Sequence, residues 1–184
     1  MKLSVRTIAA STLLALCLLA GLAPAQQAAP QPAQGGAPVV LAGAELTRVV
    51  PPGFYFEGQS APTQARNSAA ARFGKKHVIA GLVDTTGYSS EIRAKYEGFL
   101  IADAAINVGT GALPAGAYGF GFTEGGQFNV FDVGGSPLIS VEAPNDAALA
   151  RPRPLMMTVE RDGLRLYGGR RYVVIGIRQP EVEL

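Results

Sequence analysis

The amino-acid sequence predicts a mainly β protein, an antiparallel sandwich or partly open barrel with one short Ala-rich helix. Three observations predict it. The segment Leu113 to Val141, LPAGAYGFGFTEGGQFNVFDVGGSPLISV, alternates in apolarity with a period of two and is cut twice by glycine pairs; this is the pattern of three antiparallel strands joined by tight turns. A second meander follows from Leu155 to Ile177, with Asp162-Gly163 and Gly168-Gly169 as its turns. The strongest helical signal in the chain is confined to Ser60–Phe73.

Taken in order, Lys2 and Arg6 precede an uncharged apolar stretch from Thr7 to Leu22 and the small-residue triplet Ala23-Pro24-Ala25. Residues 1–25 therefore read as a secretory signal peptide cleaved after Ala25. Leu16 stands before Cys17 where a lipoprotein signal takes a small residue, so a lipoprotein is disfavoured. Residues 26–38 form a disordered Ala/Pro/Gln/Gly linker, 39–179 a single β domain and 180–184 a frayed tail.

Within the domain, Val39–Leu41 opens the fold, and Glu45–Val50 reads as a short helical turn or a strand. Pro51-Pro52-Gly53 forces a break before the short strand Phe54–Glu57. Ser60 is placed to cap a helix through Phe73, with Pro62 in its first turn and Gly74 just past its end. Ala65, Ala69 and Phe73 recur at i, i+4 and i+8 as a thin apolar stripe. His77–Asp84 is apolar on both faces, as a central strand is. Ser89-Ser90-Glu91 is placed to cap a helical turn, and Lys95–Asp103 and Ala105–Val108 read as strands. In the central meander Tyr118, Phe120 and Phe122 share one face and form core, while Ala117, Gly119 and Gly121 share the other. Mid-strand glycine admits a close neighbour, and the alanine-lined helix is the predicted cover. Ala143–Pro154 is a polar loop. Short strands and the lack of an aromatic girdle argue against a transmembrane barrel.

Charge excludes some functions. The 184-residue chain has 16 Lys+Arg against 14 Asp+Glu, and Lys2 and Arg6 fall in the predicted signal, leaving fourteen of each. A neutral domain lacks the electrostatic footprint of a nucleic-acid binder. The one cysteine, Cys17, is also in the signal, which removes disulfides and thiol catalysis from the exported chain. The single histidine, His77, stands beside Lys75 and Lys76 and reads as a partly exposed structural residue; no G-x-S-x-G elbow accompanies it. No metal or other cofactor is predicted. Asp84 and Glu91 across the Thr85–Ser90 loop lack calcium-loop spacing.

The densest polar-aromatic cluster is Tyr55, Glu57, Gln59, Arg66 and Asn67, the candidate ligand-binding set. A second set, Tyr88, Glu91, Arg93, Lys95 and Tyr96, follows the His77 strand. Carboxylate, guanidinium and phenol together orient a sugar or carboxylate ligand, and they equally serve capping and surface ion pairs. Glycosidase-type paired carboxylates, for instance Glu57 with Glu91, have no support from spacing.

Leu113-Pro114-Ala115-Gly116-Ala117-Tyr118 resembles the L-P-A-G-x-Y strand opening of uncharacterised exported bacterial β-domain proteins. The resemblance covers this hexapeptide and the strand after it; it implies a small sandwich fold and no catalytic residue. The reading is an exported, periplasmic or extracellular, non-enzymatic binding or cell-envelope-associated module. Its partner is a small molecule, a glycan or an envelope protein, and no transmembrane segment remains after signal cleavage. The alternatives are a small apolar-ligand carrier of calyx type, with Tyr118, Phe120 and Phe122 lining a cavity, and a hydrolase built around Glu57 and Arg66.

Overall fold

The computed structural model describes residues 37–161 and 163–178. The predicted signal peptide, all but the end of the predicted linker, and the tail lie outside the described residues. In chain order the elements are β1 (Val39–Val40), α1 (Gly43–Val49), β2 (Gly53–Phe56), β3 (Gln59–Phe73), β4 (Lys76–Val83), α2 (Ser90–Lys95) and β5 (Gly98–Ala102). There follow β6 (Ile106–Val108), β7 (Gly111–Leu113), β8 (Gly116–Phe122), β9 (Gln127–Phe131), β10 (Pro137–Glu142), β11 (Arg153–Glu160), β12 (Gly163–Gly169) and β13 (Arg171–Ile177).

Two antiparallel sheets result, and they do not close into a barrel. The first runs β1-β3-β4-β5-β8-β9-β10, with β2 added on β3; the second runs β11-β12-β13-β6-β7. Strands β6 and β7 leave the first sheet after β5 to extend the second, and the chain returns as β8 beside β5. This interleaving ties the sheets together.

Alternation then sorts side chains into two cores. Facing the second sheet are Ala69, Ala71, Val78, Ala80, Leu100, Tyr118, Phe120, Phe128 and Val130, packed with Ile106, Leu164, Leu166, Val173 and Ile175. Each large side chain buried there is worth roughly 1.5–3 kcal/mol. Tyr118, Phe120 and Phe122 do share this face: Tyr118 and Phe120 are buried, and Phe122 packs at the rim. On the opposite side of the first sheet Phe54, Phe56, Tyr88, Tyr96, Phe99 and Phe131 form a smaller, aromatic core. Strands β4 and β5 serve both cores, which accounts for their apolar faces on either side.

The predicted helix Ser60–Phe73 is corrected to a strand: β3 spans all of it and pairs with β1, β2 and β4. An i, i+4, i+8 stripe is compatible with a period of two as well as 3.6, so Ala69 and Phe73 are also on one strand face, joined there by Ala71. Pairing on both sides outweighs alanine's helix preference. The register shifts between Thr63 and Ser68, where residues 64–67 bulge out of the ladder. Gln64 braces the bulge by donating from its side chain to the Val83 carbonyl at 2.9 Å and accepting from Asn67 at 2.7 Å.

The cover of the glycine face is corrected with it. A side chain on Gly119 would collide with the Phe56 ring, and one on Gly121 with the Lys95 carbonyl. The cover is therefore β2 together with the end of α2. The Glu45–Val50 stretch takes the helical one of its two readings, as α1 from Gly43 to Val49. Two smaller corrections follow. Lys95 ends α2, so the strand predicted from Lys95 starts at Gly98. Strand β7 was not predicted, and it supplies the residue before Pro114.

The L-P-A-G-A-Y opening is a corner between sheets. Tyr118 donates its hydroxyl to the Pro114 carbonyl at 2.8 Å, and its ring folds back so closely over Gly116 that a Cβ there would stand 2.7 Å from the hydroxyl oxygen. A buried leucine, a proline that ends the ladder, a glycine under the ring and the tyrosine that latches it are all required by this one turn of the chain.

Candidate functional site

In β2, Phe54 and Phe56 point into the aromatic core while Tyr55 is 56% exposed. The strand ends in a two-residue turn, Glu57-Gly58, that leads straight into β3, with Phe56 opposite Gln59. Both turn residues have positive φ, 45° for Glu57 and 81° for Gly58. Hairpins of this length favour such dihedrals, but they favour glycine, asparagine or aspartate in them. Among the described residues Glu57 is the one non-glycine residue in the left-handed region, a conformation that costs roughly 1–2 kcal/mol.

Three contacts hold Glu57 there. Its backbone N–H donates to the Val133 carbonyl at 2.9 Å. Its carboxylate pairs with Lys95 Nζ at 2.7 Å and lies against Gly135, where any side chain would collide with it. The β2–β3 turn is thereby clasped to the β9–β10 turn and to the end of α2. Lys95 in turn sits 5.6 Å over the Phe131 ring. Helix α2 is placed by its cap, in which Ser89 Oγ accepts from the Ile92 N–H at 3.3 Å.

Behind the ion pair are two phenols. Tyr96 stacks on Phe56, with ring centroids 3.9 Å apart and planes 12° from parallel, and meets the edge of Tyr88 at 5.4 Å. Tyr88 donates to the Gln59 carbonyl at 2.9 Å. The Tyr96 hydroxyl is buried with no well-formed hydrogen bond, although the Tyr88 hydroxyl lies close enough to interact with it. Burial pushes both phenols up, Tyr96 the further. Nearby Glu57 and Tyr55 also push Tyr88 up. Both therefore remain protonated at neutral pH, as hydrogen-bonding groups rather than bases.

The structure thus brings Tyr55, Glu57 and Gln59 together with Tyr88, Lys95 and Tyr96, uniting members of two sets far apart in sequence. Arg66 and Asn67 are not brought to them. Both sit on the bulge of β3, beyond Pro62, the last residue paired with β2. Glu91 and Arg93 are exposed on α2. Phe131, Val133 and Gly135 belong to the site and went unrecognised, since Gly134-Gly135 signals a turn but not what the turn touches.

Elsewhere, His77 is half-buried, with Nδ1 3.3 Å from Asp103 Oδ2 and its backbone N–H donating to Oδ1 at 2.7 Å. Asp84 accepts from the Thr86 N–H at 3.0 Å, which lowers its pKa and braces the loop. Among the described residues, no cluster of three or more His, Cys, Asp or Glu side chains suited to a metal ion is present. No helix among them is long and apolar enough to cross a membrane. No protein-family model, curated protein or solved structure matches the chain.

Proposed function

We propose that the domain is an exported, non-enzymatic binding module of the cell envelope, and that it takes a polyhydroxylated ligand of glycan type at the Tyr55–Glu57–Lys95 corner. The observation that carries this is the strained Glu57 turn, held by three contacts from two other parts of the fold, the β9–β10 turn and the end of α2. Such over-determined strain clusters at binding and catalytic sites. The chemistry suits a sugar. An exposed phenol ring offers a flat face to C–H groups, the carboxylate accepts from hydroxyls, and the ammonium donates to them. Export is supported by the signal-like residues 1–25 and by the strand opening at Leu113.

The other two readings have less support. A carrier of apolar ligands needs room beside Tyr118, Phe120 and Phe122, where Phe120 packs 5.3 Å from Phe128 and 6.1 Å from Phe122. A hydrolase centred on Glu57 and Arg66 needs the two together, and its carboxylate free of Lys95.

The test is a glycan array followed by titration of the purified protein with the best hit. Tyr55→Ala should weaken that binding at least tenfold with the fold intact. Silence across the array, or full affinity in Tyr55→Ala, rejects the proposal; capture of an envelope protein through the same corner would replace the glycan by a protein.

A further inference from the structure

At the opposite end of β3 from Glu57, α1 leans over the β3–β4 hairpin and leaves an open cleft of about 170 Å³ lined by Leu41, Glu45, Arg48, Val49, Arg72 and His77. We propose that this cleft binds a phosphate-type oxyanion. The proposal is independent of the Tyr55 corner.

The cleft brings together two arginines that are not engaged elsewhere among the described residues. Arg48 and Arg72 are both exposed, and among the described residues neither guanidinium has a hydrogen bond or an ion pair. They reach the same space from different elements: Arg48 from the last turn of α1, Arg72 from β3. Arg72 stands directly opposite His77 across the β3–β4 ladder, so their side chains are neighbours. Asp103 holds His77 at Nδ1, which leaves Nε2 as the ring's open edge.

Two arginine forks converging on one space match the tetrahedral oxygens of phosphate better than a point charge would. The floor is apolar. Leu41 is buried and is fixed by its backbone N–H donating to the Ala70 carbonyl at 2.8 Å, and Val49 lies beside it. Glu45 sets a limit: its carboxylate offsets one of the two guanidinium charges, so Arg48, Arg72 and Glu45 together carry one net positive charge, with Asp103 beside His77 at the edge. That suits a singly charged phosphodiester or a phosphate monoester, and disfavours polyanions. The phosphate is either that of a soluble ester or that of a lipid headgroup.

His77 is the only histidine of the chain, so untagged protein gives one imidazole signal next to the site. Titration with inorganic phosphate at fixed ionic strength should shift that signal saturably, and chloride should not. Arg48→Gln and Arg72→Gln should each weaken the response tenfold or more. Both positions are exposed, so neither change threatens folding. Arg66→Gln is the control, an equally exposed arginine on the β3 bulge outside the cleft, and it should change nothing. Failure of phosphate to shift His77 saturably overturns the proposal, as does an equal response to chloride or an equal loss in Arg66→Gln. Sedimentation with phosphatidylglycerol vesicles then separates the sources. Binding lost in Arg72→Gln assigns a lipid headgroup, and phosphate binding without vesicle binding assigns a soluble ester.

Discussion

The two faces of the first sheet are packed by different chemistry. Among the described residues, four of the twenty-two in the core between the sheets are aromatic, against six of the eight in the core on the outer face. Aliphatic side chains fill space without directional demands, whereas tyrosine tips need partners and rings need geometry. The inner face is accordingly closed and anonymous. The outer face holds the poorly bonded Tyr96 hydroxyl, the strained Glu57 and the Lys95 ion pair. Stability is concentrated on one side of the sheet and the candidate recognition chemistry on the other.

The largest effect should come from the inner face. Phe120 is fully buried, and Phe120→Ala should cost about 3–5 kcal/mol in urea unfolding. Phe54→Ala, at the 8% exposed edge of the outer core, should cost clearly less because the thin cover can collapse onto the gap. Equal costs would show that the outer layer is as integral to the fold as the inner one.

Next in size are the glycines beneath the cover. Gly121→Ala would drive a methyl group into the Lys95 carbonyl, and backbone cannot rotate aside; Gly119→Ala meets the Phe56 ring, which has some freedom to yield. The first should destabilise by about 1–3 kcal/mol and exceed the second. If Gly119→Ala proves the costlier, the Phe56–Tyr96 stack is the more rigid part of the cover.

A smaller effect separates the two buried phenols. Tyr88→Phe removes the bond to the Gln59 carbonyl and should cost about 0.5–1.5 kcal/mol. Tyr96→Phe removes a hydroxyl that has no well-formed hydrogen bond and should be neutral or slightly stabilising in the same unfolding measurement. A clear loss in Tyr96→Phe would mean that its hydroxyl is well bonded in solution, and the outer face would lose one of its marks of function.

How far the sequence carried follows from the range of the forces involved. The central meander was legible because alternation and glycine turns act over neighbouring residues, and the apolarity of His77–Asp84 on both faces announced a strand with two cores. The Ser60–Phe73 segment was misread because its small, evenly spaced apolar residues satisfy both periods; only pairing with β1, β2 and β4 decides between them. Half of the candidate site was legible as well. Tyr55, Glu57 and Gln59 are close in sequence, but Lys95 and Gly135 reach Glu57 only through folding, and the bulge that parts Arg66 and Asn67 from it leaves no trace in residue order.

The smallest predicted effect lies where the two faces meet. Glu97, just past α2, accepts from the Phe122 N–H at 3.0 Å, while Arg171 of the second sheet donates to the backbone carbonyls of Thr123 and Glu124. Glu97 is exposed as a residue, yet protein crowds its carboxylate. That desolvation pushes its pKa up against the downward pulls of the Phe122 bond and of Arg171. The folded protein then keeps the proton to a higher pH than the unfolded chain does. More protons are bound in the native state across that window, so this carboxyl's contribution to stability is full below the unfolded value and is lost as pH rises through the folded one. Glu97→Gln keeps an acceptor for Phe122 and removes the titration. The stability of the natural protein relative to this variant should therefore decline as pH rises above the ordinary glutamate range, then level off. Water at the residue's open flank keeps the decline shallow. A difference that rises with pH would show Arg171 outweighing the crowding, and would make this seam an ion pair binding the two regions together.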